Sequence, residues 1–209
     1  MELNDLVQGS AEWLQARCGS VGASSATDLM SKGKGGAEST GYANLRAKVV
    51  AERLTGCVVE TFKNAYMERG NEDEESAREV YDFVTGNTVN QVGLIKHPTI
   101  PFFHASPDGL IGNDGCLELK RKIPALHIAY LLKGTVPSEY IRQMCAQLAC
   151  TGRQYVEFAS YCPEMPEDLQ LFVVRYHRNE EAIKEMEAAV MAFNVSVDQM
   201  IADLKAIRP

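Results

Sequence analysis

Two short motifs bring acidic and basic side chains close together in the chain. They are Ser106-Pro107-Asp108-Gly109-Leu110 and Cys116-Leu117-Glu118-Leu119-Lys120. The first contains a turn sequence, and the second alternates apolar and charged residues as a strand does. Side chains two residues apart in a strand share a face, so Glu118 and Lys120 project together while Leu119 points to the buried side. We expect Asp108, on the adjoining strand, to lie beside them.

Asp108, Glu118 and Lys120 have the chemistry of a metal-dependent hydrolytic centre. Carboxylates are hard ligands suited to Mg2+, or to Mn2+ as a substitute, and the main-chain carbonyl of Leu119 can complete the ligand shell. Phosphodiester hydrolysis requires charge screening, an activated water and a stabilised leaving oxygen, which a cation and a lysine supply together. Each motif alone is also a common structural pattern. Their separation of ten residues favours the catalytic interpretation.

The charge of the chain gives a mixed indication about its partners. A net charge of -7 argues against nucleic acid, which binds basic surfaces. A nuclease, however, uses carboxylates to hold cations, and those cations restore positive charge. The basic clusters Lys32-Gly33-Lys34 and Lys120-Arg121-Lys122 are either DNA contacts or solvated surface.

Length and composition predict one domain spanning residues 1–209. The chain is 45% hydrophobic, which suits a sizeable core. It contains no apolar run long enough for a membrane span and no signal peptide, so we expect it in the cytoplasm. Its six cysteines form no CxxC pair, which indicates reduced thiols rather than zinc sites or disulfides.

Apolar spacing and turn residues predict a helical first half, a small sheet, and further helices and strands. Helices are expected at 10–17, 24–30, 42–54, 65–84, 125–133 and 138–150, with a polar loop at 31–41. Strands are expected at 89–95, 102–105, 116–120, 155–161 and 169–176.

A C-terminal helix is predicted at about 179–207, because apolar residues recur there at alternating spacings of three and four. This seam either packs on the domain's own core, which we favour, or forms a subunit contact. Its residues are Ile183, Met186, Val190, Phe193, Val197, Met200, Leu204 and Ile207.

The coupled motifs resemble the PD-(D/E)xK nuclease superfamily, with Pro107-Asp108 as the first half and Glu118-Leu119-Lys120 as the second. Flanking segments are similar to the lambda-type phage exonucleases, the YqaJ-like viral recombinase family, and the resemblance spans residues 10–163. These segments are Trp13-Leu14-Gln15-Ala16-Arg17, Gly22-Ala23-Ser24-Ser25, Arg69-Gly70-x-x-x-Glu74 with Ala77, Tyr140-Ile141-Arg142-Gln143 and Phe158-Ala159-Ser160-Tyr161-Cys162-Pro163.

The resemblance implies an α/β fold with a restriction-endonuclease-like core, in which helices flank a central mixed sheet. It implies a Mg2+-dependent, processive exonuclease that degrades one strand of duplex DNA from its 5' end, leaving 3' overhangs for phage-type recombination. A homotrimeric ring around double-stranded DNA ends, a single-strand DNA annealing protein as partner, and the cytoplasm of a bacterial host are further implications.

The resemblance also assigns roles to individual residues. Asp108, Glu118 and the Leu119 carbonyl would bind metal, Glu74 would support the metal site, and Lys120 would assist the attacking water. The 5' phosphate would be held by Arg17, Ser24, Ser106 and Gln143, whose guanidinium, hydroxyl and amide groups are suitable donors.

The phosphate-binding residues also have simpler interpretations. Arg17 could instead pair with Glu12, Ser24 could cap a helix, and Gln143 could be solvated. His104 and His127 lack ligand spacing and are expected to be structural.

Two other functions stay open. One is a restriction-like DNA endonuclease, which end recognition by Arg17 and Gln143 disfavours. The other is a non-catalytic DNA-end-binding protein, which would have no need of Lys120 beside two carboxylates.

Overall fold

The structure is a computed structural model that describes residues 3–59 and 74–207. Its helices are α1 (Ala11–Arg17), α2 (Ala26–Leu29), α3 (Thr40–Thr55), α4 (Glu74–Thr85), α5 (Pro124–Lys133), α6 (Ser138–Thr151) and α7 (Glu180–Ala206). Its strands are β1 (Val21–Gly22), β2 (Val89–Asn90), β3 (Ile95–Lys96), β4 (Phe103–Ala105), β5 (Gly109–Ile111), β6 (Gly115–Arg121), β7 (Tyr155–Tyr161) and β8 (Leu171–His177).

A five-stranded mixed sheet forms the centre of the fold, in the order β2-β5-β6-β7-β8. Strands β6 and β7 are parallel, and the other neighbouring pairs are antiparallel. Helices α5 and α6 connect β6 to β7, as a parallel pair requires a long connection. The expected α/β class with a central mixed sheet is therefore confirmed.

The two faces of β6 contribute to two apolar clusters, because successive side chains of a strand point in opposite directions. Cys116 belongs to the larger cluster, which includes residues of α2, α3, α6 and α7. Leu117 and Leu119 belong to the smaller cluster, where they join Ala77 and Tyr81 of α4. Leu119 is 5% exposed, so its predicted inward orientation is confirmed. Helices thus cover both faces of the strand that carries Glu118 and Lys120.

The prediction of a single strand at 89–95 is wrong, because this segment contributes to two sheets. Strand β2 pairs with β5 in the main sheet, whereas β3 pairs with β4 in a three-stranded sheet of order β1-β4-β3. Between β2 and β3 the backbone bonds to the N-terminal segment instead. Gly93 N–H donates to Asn4 O at 2.8 Å, and Gln8 Nε2 donates to Val92 O at 2.8 Å.

The C-terminal helix α7 packs on the larger cluster through the predicted seam. Its first five seam residues are buried: Ile183, Met186, Val190, Phe193 and Val197. Leu204 and Ile207, by contrast, are 41% and 75% exposed. Packing against the chain's own core is confirmed for most of the helix.

The remaining predicted elements are present with small shifts at their ends. Helix α3 begins at Thr40, earlier than predicted, because Ser39 Oγ accepts a hydrogen bond from Tyr42 N–H at 3.1 Å. Strand β8 begins at Leu171 because Glu167–Leu169 forms a 3-10 turn. Of the helix predicted at 65–84, the part at 65–73 lies outside the described residues. Within the described ranges no helix combines the length and apolarity that a membrane crossing needs.

Candidate active site

The β5–β6 hairpin fixes the side chain of Asp108. Asp108 N–H donates to Leu117 O at 3.0 Å, which extends the strand pairing by one residue beyond Gly109. Its carboxylate Oδ2 accepts a hydrogen bond from Leu119 N–H at 2.6 Å. Gly109 is required here, because a Cβ at this position would lie 2.0 Å from Val89 Cγ1 on β2. Asp108 is therefore held by the backbone of the strand that carries the other two candidates.

Glu118 and Lys120 lie on the face of β6 that is covered by α6. Glu118 is fully buried, and Lys120 Nζ contacts its Oε1. The same ammonium lies 3.9 Å from Asp108 Oδ2. Gln143 and Gln147 of α6 donate to the two Glu118 oxygens at 2.6 and 2.5 Å. The structure thus brings the three predicted residues together.

The electrostatics of this cluster reflect two buried carboxylates beside one cation. Burial, and then the negative charge of Glu118, raise the pKa of Asp108 to about 8, although Lys120 opposes the shift. Burial by itself would lower the pKa of Lys120, but the Glu118 and Asp108 carboxylates raise it overall. Lys120 therefore stays an ammonium, and the two carboxylates favour further positive charge between them.

The donor set fits a hard divalent cation. Asp108 and Glu118 supply carboxylate oxygens, and Leu119, which directly follows Glu118, adds a main-chain carbonyl. Within residues 3–59 and 74–207 no three His, Cys, Asp or Glu side chains form a complete metal site. Mg2+ tolerates this arrangement, because it usually keeps several waters and binds substrate phosphates alongside one or two carboxylates.

Glu74 lies near the cluster but apart from its strands. It is the first described residue of α4, lines the same cleft as Asp108 and pairs with Arg78 at 2.6 Å. Its charge contributes to the raised pKa of Asp108. This position is consistent with support of the metal site, whereas the Arg69-Gly70 part of its motif lies outside the described residues.

A cleft of about 1350 Å³ opens beside Asp108 and contains Arg17 in its wall. The Arg17 guanidinium carbon lies 3.9 Å from the centre of the Trp13 ring, and its Nε donates to His104 Nε2 at 3.0 Å. The alternative ion pair with Glu12 is not formed. Among the described residues, no carboxylate forms an ion pair with Arg17. A half-buried cation in this setting favours an anionic ligand.

The other predicted phosphate-binding residues occupy two different places. Ser24 is exposed in the cleft wall, within the 3-10 turn Ala23–Ser25, so the alternative role as cap of α2 is wrong. Ser106 Oγ accepts a hydrogen bond from Trp13 Nε1 at 3.1 Å, which links it to the Arg17 side of the cleft. Gln143 instead donates to Glu118, so the structure joins it to the metal-ligand candidates.

The basic run at 120–122 divides between the two faces of β6. Arg121 pairs with Glu164 at 2.6 Å, and Lys122 Nζ donates to the hydroxyl of Tyr140 on α6 at 2.5 Å. The charge of Arg121 is thus balanced by a carboxylate, whereas Lys122 contacts a tyrosine hydroxyl.

Two polar residues of the site escaped sequence reasoning. Gln147, four residues after Gln143, binds Glu118 from the same face of α6, and that helical spacing was the available signal. His104 was expected to be only structural, yet it binds Arg17. No local sequence pattern links His104 to Arg17, because their contact depends on the pairing of strands in the three-stranded sheet.

Comparisons with known proteins identify relatives of this arrangement. A family model described as the YqaJ-like viral recombinase domain matches residues 12–154. An alkaline exonuclease from Laribacter hongkongensis, LHK-Exo, is 42% identical with a TM-score of 0.86, covering 94% of this chain and 97% of that chain. Its structure in complex with dAMP gives a TM-score of 0.87 with the same identity and coverage.

A more distant likeness concerns the fold alone. A phage-related exonuclease from Haemophilus somnus 129PT has 15% identity and a TM-score of 0.69, over 88% of this chain and 96% of that chain. A search of curated proteins finds no match. The LHK-Exo match confirms the expected restriction-endonuclease-like fold. Because the family model covers most of its length, the chain belongs to the YqaJ-like viral recombinase family.

Proposed function

We propose that the protein is a Mg2+-dependent exonuclease that degrades one strand of duplex DNA during phage-type recombination. The observation that carries this proposal is the convergence of Asp108, Glu118 and Lys120 at one end of a mixed sheet, beside a cleft. The name of the 42% identical relative, an alkaline exonuclease, supports the same activity.

Asp108, Glu118 and the Leu119 carbonyl would hold the cation, with Mn2+ as a substitute for Mg2+. When bound, the cation screens the phosphate charge and favours deprotonation of the attacking water. Lys120, next to both carboxylates, orients that water and stabilises charge that develops on the phosphoryl group. Glu74 supports the site from α4.

Residues of α6 keep the candidate metal ligand Glu118 in place. The Gln143 and Gln147 amides each donate to one of its oxygens, so the carboxylate has little freedom to rotate. A ligand fixed in this way requires less ordering when the cation binds.

The proposed direction of digestion follows from recognition of a 5' phosphate. Arg17 supplies the charge, and the hydroxyls of Ser24 and Ser106 supply neutral donors on the cleft side. Gln143 would join them at the boundary between the cleft and the metal site. A pocket that binds a terminal phosphate places the first phosphodiester at the catalytic residues, which gives 5'-to-3' digestion and a 3' overhang. LHK-Exo was solved in complex with dAMP, a nucleoside monophosphate.

The proposed assembly is a homotrimeric ring that encloses double-stranded DNA and thereby acts processively. Its proposed partner is a single-strand DNA annealing protein that takes up the overhang, in the cytoplasm of a bacterial host. Membership in a viral recombinase family supports these three proposals.

A digestion with labelled DNA tests the activity. Duplexes labelled at both ends of each strand, with or without a 5' phosphate, are compared with covalently closed circles in Mg2+, in Mn2+ and in EDTA. We expect release of the 5' labels from linear DNA, dependence on the metal, and faster digestion of phosphorylated ends. Equal cleavage of circles indicates the restriction-like endonuclease instead, and binding of ends without release indicates a non-catalytic end-binding protein.

A further inference from the structure

We propose that His104 is a positioning residue that holds the Arg17 side chain so that its two Nη groups receive the 5' phosphate. The inference rests on the proposed function and adds to it a determinant of end selectivity. Its basis is a set of contacts around one guanidinium.

Arg17 is fixed by two contacts that leave the outer edge of its guanidinium open. The Trp13 ring stacks on its face at 3.9 Å, and His104 Nε2 accepts a hydrogen bond from Nε at 3.0 Å. In the described part of the chain, the Nη groups of Arg17 have no hydrogen-bond acceptor. A guanidinium binds phosphate through two such parallel N–H groups.

The hydrogen bonds of His104 determine which of its ring nitrogens carries the proton. An arginine only donates, so His104 Nε2 must be the unprotonated acceptor. The proton therefore lies on Nδ1, which donates to Ser20 Oγ at 2.6 Å. His104 is 2% exposed, and burial followed by the charge of Arg17 lowers its pKa to about 3. At neutral pH the ring is therefore uncharged, and its Nε2 is available as an acceptor.

The small sheet creates the space for this pair. Strands β1 and β4 are parallel with Gly22 opposite His104. A Cβ at Gly22 would lie 2.9 Å from His104 Nε2 and 3.3 Å from Arg17 Nη2. Glycine at position 22 thus leaves room for the side chains of both His104 and Arg17.

Arg17 is consequently preorganised to bind phosphate. A free arginine side chain has many rotamers and loses that freedom when it binds an anion. Here stacking and the Nε hydrogen bond limit those rotamers before the DNA end arrives, which strengthens binding. Loss of the His104 acceptor should therefore raise the KM for phosphorylated ends on the order of tenfold.

The test compares KM and kcat for linear duplexes carrying a 5' phosphate or a 5' hydroxyl. His104→Phe keeps a ring of similar size but removes the acceptor, whereas His104→Gln keeps an acceptor near the Nε2 position. We expect His104→Phe to lose most of the KM preference for phosphorylated ends and His104→Gln to retain it. His127→Phe removes a buried histidine that bonds Ser160 and Leu169 instead, and it should leave the preference unchanged.

Combination with Arg17→Ala separates positioning from a general structural effect. If His104 acts through Arg17, His104→Phe has no further effect on the KM preference in the Arg17→Ala background. Ser20→Ala removes the acceptor of the His104 Nδ1–H hydrogen bond. It should weaken the preference for phosphorylated ends less than His104→Phe does, and it replaces that variant in the test if His104→Phe does not fold.

Three results would overturn the proposal. They are an unchanged preference in both His104→Phe and Ser20→Ala, equal KM increases for both kinds of end, or additive effects of Arg17→Ala and His104→Phe. A natural protein that digests both kinds of end equally overturns the phosphate pocket as well. Absence of nuclease activity in the natural protein refutes the proposed function itself. In that case, direct binding of phosphorylated ends, compared between the natural protein and His104→Phe, tests the His104 role separately.

Discussion

Replacement of Gln147 by leucine should reduce activity far more than stability. Gln147 is fully buried on α6, and its Nε2 donates to Glu118 Oε2 at 2.5 Å. Its own amide oxygen is buried without a hydrogen-bond partner in the described part of the chain. The side chain therefore makes one strong interaction and carries one unfavourable group.

The two effects on stability nearly cancel. Loss of a hydrogen bond to a charged acceptor costs about 1.5–3 kcal/mol, and removal of a buried unpaired polar group recovers about 1–3 kcal/mol. Glu118 also keeps its contacts with Gln143 and Lys120. We expect the free energy of unfolding to change by less than about 1.5 kcal/mol. A metal ligand that loses a supporting hydrogen bond typically costs about 10–100-fold in metal affinity or activity.

The assay is urea unfolding of Gln147→Leu together with nuclease kinetics over a range of Mg2+ concentrations. Gln170→Leu is a matched control, because the Gln170 amide bonds the carbonyls of Pro163 and Met165 rather than Glu118. Gln147→Glu should be more destabilising than leucine, since it adds a carboxylate beside a buried one. A Gln147→Leu variant with unchanged activity, or with a loss above about 3 kcal/mol in stability, refutes this reasoning.

Three further predictions follow from packing and protonation. Gly109→Ala should destabilise by about 1–3 kcal/mol in urea, because its Cβ would lie 2.0 Å from Val89 Cγ1, and Val89→Ala should restore much of the loss. The pKa of His104 in the folded protein, about 3, lies below its value in the unfolded chain. The stability contributed by the neutral ring is therefore complete above about pH 6.5 and is lost as the pH falls toward the folded pKa. Between pH 6.5 and 5 the natural protein should therefore lose about 1.7 kcal/mol more unfolding free energy than His104→Gln, and parallel curves contradict this. Phe193→Ala should cost about 3–5 kcal/mol, whereas Leu204→Ala on the same helix, at a site 41% exposed, should cost about 0.5 kcal/mol or less, and equal losses argue against the packing of α7.

The candidate centre could be predicted from sequence because its determinants are local. Glu118 and Lys120 share a face through the two-residue period of a strand. Asp108 lies within a turn sequence, ten residues before Glu118. The hairpin register then places them together whatever the rest of the fold does.

The surroundings of the centre depend on contacts between distant segments. His104 meets Arg17 only because β1 and β4 pair in parallel, and these residues are 87 positions apart. Gln143 is predicted to hold phosphate, and its additional hydrogen bond to Glu118 could not be predicted, because it depends on the packing of α6 over β6. The segment 89–95 has the apolar pattern of one strand, but hydrogen bonds with the N-terminal segment divide it. Periodicity contains no information about such partners.

The central claim is that Lys120 acts with Asp108 and Glu118 in phosphodiester hydrolysis. Its most direct test is single-turnover digestion of a 5'-phosphorylated linear duplex in Mg2+ by the natural protein and by Lys120→Ala, with end binding measured in Ca2+. We predict mononucleotide release by the natural protein and a rate lower by about 10²–10⁴-fold for Lys120→Ala, with end binding retained. Absence of release by the natural protein, or equal rates for the two proteins, would contradict the account.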